Sequence, residues 1–224
     1  MGNFSPILDF ILPRFCPACK LKITGSEFVC NSCLLKIKKP SKERIVAEFN
    51  KKFGGKGIIL DFTSRYVFER DKEFQHIIHS LKYEKKFLLG TFLGKLLGET
   101  INSEFSKYHF DFIVPVPLHH LKKAEREYNQ SYYIAKGVQK VTGIKTNNHL
   151  IKRVKYTESQ TSMKLTQREK NIINSFKALR KLKGENILII DDVITTGATI
   201  SECGKTLLRA GAGKIYAAST AIAD

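Results

Sequence analysis

Long apolar runs are missing from this chain. None approaches the roughly 18 consecutive apolar residues that a membrane-spanning helix needs, which argues against an integral helical membrane protein. The opening MGNFSPILDFILPRF is apolar but short and carries Asp9. It has no basic stretch before it and no small-residue cleavage site after it, so it reads as neither a signal peptide nor an anchor. A cytoplasmic protein is expected, with a peripheral contact at the inner face of the membrane left open for that greasy segment. There is no internal repeat and no low-complexity tail, which argues against a solenoid or a disordered chain. Acids are also scarce: 21 Asp and Glu face 38 Lys and Arg, for a net charge of +17. From Gly184 onward, five acids (Glu185, Asp191, Asp192, Glu202, Asp224) meet three bases (Lys205, Arg209, Lys214), so the residues before it hold 35 bases against 16 acids. A field of that sign favours polyanions: nucleic acid, anionic lipid or a phosphorylated small molecule. A generally lysine-rich proteome is the plainer alternative.

What is present begins with cysteine. Four of the five fall in CPACKLKITGSEFVCNSC as Cys16, Cys19, Cys30 and Cys33, two C-x2-C pairs separated by ten residues. Each pair can aim two thiolates at one point, and two pairs complete a tetrahedral sulfur site for structural zinc. Thr24-Gly25-Ser26 suggests a hairpin turn within the spacer, as in a zinc ribbon. Without a secretion signal, disulfides are the poorer reading. Sulfur at all four corners leaves no open position for catalysis, so the metal's role is to fold a segment too short to bury its own core. Cys203 shares helical spacing with Ile200, Leu207 and Leu208 and reads as core.

Residues 1–53 are read as this zinc module plus a basic helix and linker, and residues 54–224 as one α/β domain. KGIILDFTSRYVF reads as two strands around a turn. Phe74, Ile77, Ile78 and Leu81 mark one amphipathic helix; Leu88, Leu89, Phe92, Leu93, Leu96 and Leu97 mark another. FDFIVPVPL is a buried strand running into a rigid proline loop. A helix over about Tyr128 to Val141 follows, then a short strand near Leu150, a strand Ile187 to Ile190, a helix from about Thr199 to Ala210 and a last strand in KIYAASTAIAD. Alternating strands and helices predict a mostly parallel sheet flanked by helices.

ILIIDDVITTGAT carries the sharpest chemical signal. The apolar strand delivers Asp191 and Asp192 to the carboxyl edge of the sheet, where α/β proteins bind ligands. Thr195, Thr196, Gly197, Ala198 and Thr199 then open a helix, whose free N–H groups and dipole suit an anion. The acids would repel that anion, so they address another part of the same ligand. Adjacent carboxylates suit a ribose diol and help place Mg2+ on phosphates. A ribose 5′-phosphate satisfies both halves.

This motif resembles the 5-phosphoribosyl-1-pyrophosphate (PRPP) site of type I phosphoribosyltransferases. Together with the four-cysteine start, VPVPLHHLKKAEREYNQS and RVKYTESQTSMKLTQREKNIINSF, nearly the whole chain resembles the ComF family of bacterial competence proteins. The resemblance implies a type I phosphoribosyltransferase-like fold. It gives Asp191 and Asp192 to the ribose and Mg2+, and Thr195 to Thr199 to the 5′-phosphate. Val116, Pro117, Lys122, Arg126, Asn129, Gln130, Gln160 and Arg168 become candidates for pyrophosphate or ligand contacts, with Asn171 beside Arg168 on a helix face. The family's usual R-G-F-N-Q reads Arg126-Glu127-Tyr128-Asn129-Gln130 here, so a glycine is lost from the turn. No catalytic residue declares itself; His119 and His120 have no carboxylate beside them in sequence. The implied function is a competence protein for natural transformation that binds PRPP and handles incoming single-stranded DNA, alongside other competence or recombination proteins. Phe49, Phe53, Tyr66, Phe68, Tyr128, Tyr132 and Tyr133, interleaved with cations, are candidate stacking surfaces for that strand. The alternative is an active phosphoribosyltransferase with an unidentified acceptor.

Overall fold

The computed structural model describes residues 13–25, 27–70, 72–156 and 172–223. Two short strands, β1 (Arg14–Phe15) and β2 (Lys22–Ile23), pair antiparallel and lead to helices α1 (Asn31–Lys36) and α2 (Lys42–Phe53). Then come β3 (Phe62–Phe68), α3 (Glu73–Tyr83), α4 (Phe87–Glu104), β4 (Phe112–Pro115), α5 (His120–Arg126) and α6 (Gln130–Thr142). The chain continues with β5 (Ile151–Arg153), β6 (Phe176–Ala178), β7 (Ile187–Ile194), α7 (Ala198–Arg209) and β8 (Ile215–Ala223). β3, β8, β7 and β4 form a four-stranded parallel sheet in that order, with β7 and β8 at its centre.

Both faces of this sheet are covered, as parallel sheets require. Strand periodicity sorts β7 between them. Leu188 and Ile190 join the α3, α4 and α6 layer through Ile77, Leu93 and Ile134. Ile187 and Ile189 join Phe53 of α2, Cys203 and Leu207 of α7, and Ile151 and Phe176 of the β5–β6 pair. Cys203 is core, as its spacing predicts. The two longest helices of the first layer approach closely: a Cβ at Gly94 would lie 2.0 Å from the Ile134 carbonyl oxygen, and one at Gly137 would lie 2.2 Å from that of Thr91. This close seam fixes α6, whose first residues reach the ligand site.

The cysteine segment is not a separate bead. Cys16, Ile23, Val29, Cys33 and Ile37 belong to the same apolar cluster as α3 and α4, and Phe28 packs on Phe92 with ring centroids 5.6 Å apart. Helix α2, N-capped by the Ser41 hydroxyl, ends at Phe53 under the opposite face of the sheet.

Several expectations change in detail. KGIILDFTSRYVF contains one strand, β3; Leu60 makes only an isolated contact, its N–H donating to the Ile215 carbonyl at 2.9 Å. β7 extends to Ile194 because β8 continues beside it as far as Ile222. α5 and β6 were not expected. Of the aromatics offered as stacking surfaces, Phe53, Tyr66 and Tyr128 are core.

Candidate ligand site

β4 pairs with β7 only as far as Ile190, after which the Val116 N–H donates to the Ile190 carbonyl and the prolines turn the chain away. Asp191 is therefore the first residue of β7 beyond the β4 ladder, at the carboxyl edge. Its Oδ1 accepts from the Ser131 hydroxyl at 2.9 Å and from the Asp192 N–H at 2.9 Å. Burial, then the neighbouring Asp192 charge, pushes the Asp191 carboxyl up to about 7, against the pull of Ser131 and Lys82. Asp192 is buried; its Oδ1 accepts from the Val193 N–H at 2.7 Å and its Oδ2 pairs with Lys82 Nζ at 2.7 Å. Its carbonyl accepts from the Thr220 hydroxyl.

The threonine-glycine loop follows. Gly197, at φ +76°, is the N-cap of α7, and the Thr196 hydroxyl accepts from the Ala198 N–H at 3.3 Å. Asp191 and Val193 to Ile200 line a cradle of about 30 Å³ at this helix start. A Cβ at Gly197 would stand 2.7 Å from the Phe53 ring, so α2 forms the floor of the loop.

The opposite wall is cationic. Lys122 is half-buried, and that burial, with the charges of Arg153 and Arg126, pulls its ammonium down to about 8. Arg126 donates to Gln130 Oε1 at 3.3 Å and lies over the Tyr83 ring, 5.5 Å from its centroid. Gln130 is fully buried, and its Nε2 has no hydrogen-bond partner among the described residues. Asn129 is engaged at both ends: Oδ1 caps α6 by accepting from Ser131 N–H, and Nδ2 donates to the Val116 carbonyl at 3.0 Å. It holds the Val116–Pro117 loop against α6. His119 caps α5, Nδ1 accepting from the Leu121 N–H, and burial first, then nearby cations, lowers its pKa. Glu127 takes over the turn of the missing glycine, at φ 65°, with its carboxylate paired to Lys85. Gln160, Arg168 and Asn171 lie outside the described residues.

Thus the acids, the threonine loop, Lys122, Arg126 and Gln130 meet at one sheet edge. Sequence reasoning missed Lys82, Ser131 and Arg153. Ser131 directly follows the Asn129-Gln130 pair, which is a local signal; Lys82 sits on a helix far upstream and has none.

The four cysteine sulfurs lie within 4.8 Å of one another, with Cys19 and Cys30 Sγ 3.7 Å apart. Zinc–sulfur bonds of about 2.3 Å in a tetrahedron place sulfurs roughly 3.8 Å apart, so this donor set fits a metal such as zinc. The first pair occupies the turn of the β1–β2 hairpin, while Cys30 is the N-cap of α1 and Cys33 lies in its first turn. The Thr24–Gly25 turn thus leads to a helix, not to a second strand. Burial opposes ionisation of Cys16, but N–H groups of Cys19, Cys30 and Ala18 hold its thiol at about 7.

With this geometry in view, the phosphoribosyl transferase domain family matches residues 129–222, from the cap of α6 to the end of β8. Competence protein F of Haemophilus influenzae is 30% identical over 146 residues, 62% of this chain and 63% of that protein. DNA utilization protein YhgH of Escherichia coli K12 is 27% identical over 203 residues, covering 89% of this chain and 80% of that one. The chain is thus similar to proteins named for competence and for DNA utilization. Competence protein ComFC of Bacillus subtilis is 24% identical over 207 residues, covering 91% of this chain and 75% of that one. The match to Competence protein F thus spans under two thirds of that relative. No described helix is long and apolar enough to cross a membrane.

Proposed function

We propose that the protein binds PRPP at the β7–α7 edge and serves in the handling of incoming single-stranded DNA during natural transformation, in the cytoplasm. One observation carries the reading: an acid pair on a strand end lies beside a glycine-opened helix start, with Lys82 and Arg153 as its neighbouring cations. A ribose bearing a 5′-phosphate and a diphosphate has this distribution of charge and hydroxyls. Thr195 to Thr199 take the 5′-phosphate through the N–H groups of the helix start. Asp191 and Asp192 accept from the ribose hydroxyls. Lys122 and Arg126 face the diphosphate. The carboxylate oxygens are hard donors suited to Mg2+, which would neutralise phosphate charge when bound. The names of the relatives supply the DNA role, and the basic surplus supports it. The cysteine cluster acts as a structural zinc module docked on α3 and α4.

A second reading, transfer of phosphoribose to an acceptor, is favoured by a cavity of about 730 Å³ beside the proline loop, lined in part by Pro117, Tyr128, Tyr132, Tyr133 and Arg153. One experiment separates the two. Zinc-loaded protein is titrated with labelled single-stranded DNA with and without Mg-PRPP at two salt concentrations, and pyrophosphate is assayed in the same samples. DNA binding without pyrophosphate release supports the competence role with PRPP as effector; steady release of pyrophosphate establishes the enzyme. Failure of PRPP to bind wild type, or equal binding by Asp191→Asn with Asp192→Asn, sinks the site assignment.

A further inference from the structure

The ion pair between Lys82 and Asp192 has no part in the site as the sequence presents it. The two side chains are 24% and 13% exposed, so this is not a solvent-screened surface contact. Three of the four carboxylate oxygens of the acid pair are engaged: Asp191 Oδ1 by Ser131 and the Asp192 N–H, Asp192 Oδ1 by the Val193 N–H, and Asp192 Oδ2 by Lys82. A metal ion taking the Asp192 Oδ2 position must therefore displace an ammonium.

That ammonium has little freedom. α3 ends at Tyr83, and its last turn is tied to the cationic wall, with the Tyr128 hydroxyl donating to the Leu81 carbonyl and the Tyr83 ring lying under Arg126. Lys82 adjoins a group of cations in which Glu125 is the opposing charge. Its charge, like those of Arg153 and Arg126, acts on Lys122. A bare divalent cation would push Lys82 towards this cluster, where cations outnumber the single Glu125 carboxylate. A diphosphate lying between the acids and the wall supplies the anion to receive it.

We infer that Lys82 is the built-in counter-ion of the acid pair and that it makes the site take a divalent cation only together with a polyanionic phosphate ligand. In the free protein Lys82 neutralises Asp192; in the complex it transfers to the diphosphate and leaves the Asp192 carboxylate to the ribose hydroxyls and to a cation that the ligand would bring. Buried Gln130, next to Ser131, has an Nε2 without a hydrogen-bond partner among the described residues. Lys82 is thus a positioning and specificity residue, and the inference rests on the PRPP reading of the site.

The test uses the full zinc-loaded chain and three ligands: Mn2+ alone, followed by the free-ion magnetic resonance signal; Mg-PRPP, by calorimetry; and metal-free inorganic pyrophosphate. Lys82→Gln is expected to tighten Mn2+ binding about tenfold and to weaken Mg-PRPP binding at least about fivefold, the range of a typical coupling between sites. Lys82→Arg restores both wild-type values. Asp192→Asn, which leaves the lysine intact without its carboxylate, is expected to bind pyrophosphate more tightly than wild type, and it decides the matter if Lys82→Gln does not fold. Unchanged Mn2+ affinity in Lys82→Gln, or tighter binding of both Mn2+ and Mg-PRPP, overturns the proposal. Wild type that ignores Mg-PRPP while the Mn2+ contrast persists overturns the PRPP reading and the phosphate half of the inference, leaving only the counter-ion.

Discussion

Glu127 and Lys122 show two kinds of strain on neighbouring turns of the same wall. Glu127 occupies left-handed backbone, φ 65°, at the place where the family resemblance leads one to expect glycine. Such a conformation costs a side-chain-bearing residue roughly 1–2 kcal/mol, but Glu127 is exposed and its carboxylate meets Lys85, so the turn survives. Lys122 carries an electrostatic cost instead. Its folded pKa of about 8 lies below the roughly 10.4 of an unfolded lysine. Between those values the unfolded chain binds more protons, so stability rises with pH across that window, and the cost is fully present below about 8. Lys122→Met is therefore expected to raise Tm by about 2–4 °C near neutral pH, the effect of roughly 1 kcal/mol in a chain of this size. The gain should vanish above about pH 10.5, and calorimetric melts at the two pH values decide it. An equal gain at both would trace it to packing. The same variant should bind inorganic pyrophosphate more weakly near neutral pH. At this scale the acid pair and threonine loop are legible because all their members lie within one short stretch. Ser131, 60 residues from Asp191, and Lys82, on a different helix, become neighbours only through the α4–α6 seam and the parallel order of the sheet.

Gly197 connects the threonine-glycine loop to an element the sequence assigned elsewhere. Helix α2 reads as part of an N-terminal module and linker, yet its last residue, Phe53, is the floor of the loop. Glu127 tolerates a positive φ in solvent; Gly197 could not carry a side chain, because a Cβ there would strike Phe53 at 2.7 Å and approach the Lys52 Cβ at 3.1 Å. Gly197→Ala combines the left-handed strain with overpacking and is expected to cost on the order of 3 kcal/mol in urea unfolding. Loss below about 1 kcal/mol would mean that α2 yields easily and does not brace the loop. The proposed zinc at the cysteine cluster is tested at the same scale. Chelation is expected to open the segment around Cys16 to Cys33 to trypsin at Lys20 and Lys22 while the central sheet stays protected, as mass mapping of the fragments would show. Cleavage spread evenly over the chain would instead make the module a keystone of the α3–α4 layer. The main helices and central strands were legible because each carries a strong period over many residues. α5 was not, since HLKKAER has no fully buried residue and so shows no apolar stripe. β6 has only three residues and gains its identity from pairing with β5.

The distribution of charge over the whole molecule follows from where the chain goes. β7 and β8 occupy the middle of the sheet, and every residue of β8 is buried, so the segment after Gly184 has little surface on which to carry lysine. The surplus of 35 bases over 16 acids is therefore spread over the covering layers and the N-terminal elements, not over the strands that present the ligand site. Exposed Lys36, Lys39 and Lys42 form a run from the end of α1 to the start of α2, while Phe53, Tyr66 and Tyr128, candidates for base stacking by sequence, are inside the core. Affinity for single strands should then come mainly from phosphate contacts and depend steeply on salt, with little preference for base composition. Each phosphate contact contributes about −0.7 to the slope of log K against log salt for single strands, so replacing Lys36, Lys39 and Lys42 together by glutamine is expected to make the slope shallower by roughly 2. A shallower slope with unchanged Mg-PRPP affinity would place the strand along α1 and α2, away from the acid pair. An unchanged slope would exclude these lysines from the DNA path and point to the cations beside the ligand site, where DNA and PRPP would compete. A wild-type slope near zero would mean that the surplus of positive charge does not serve DNA binding at all.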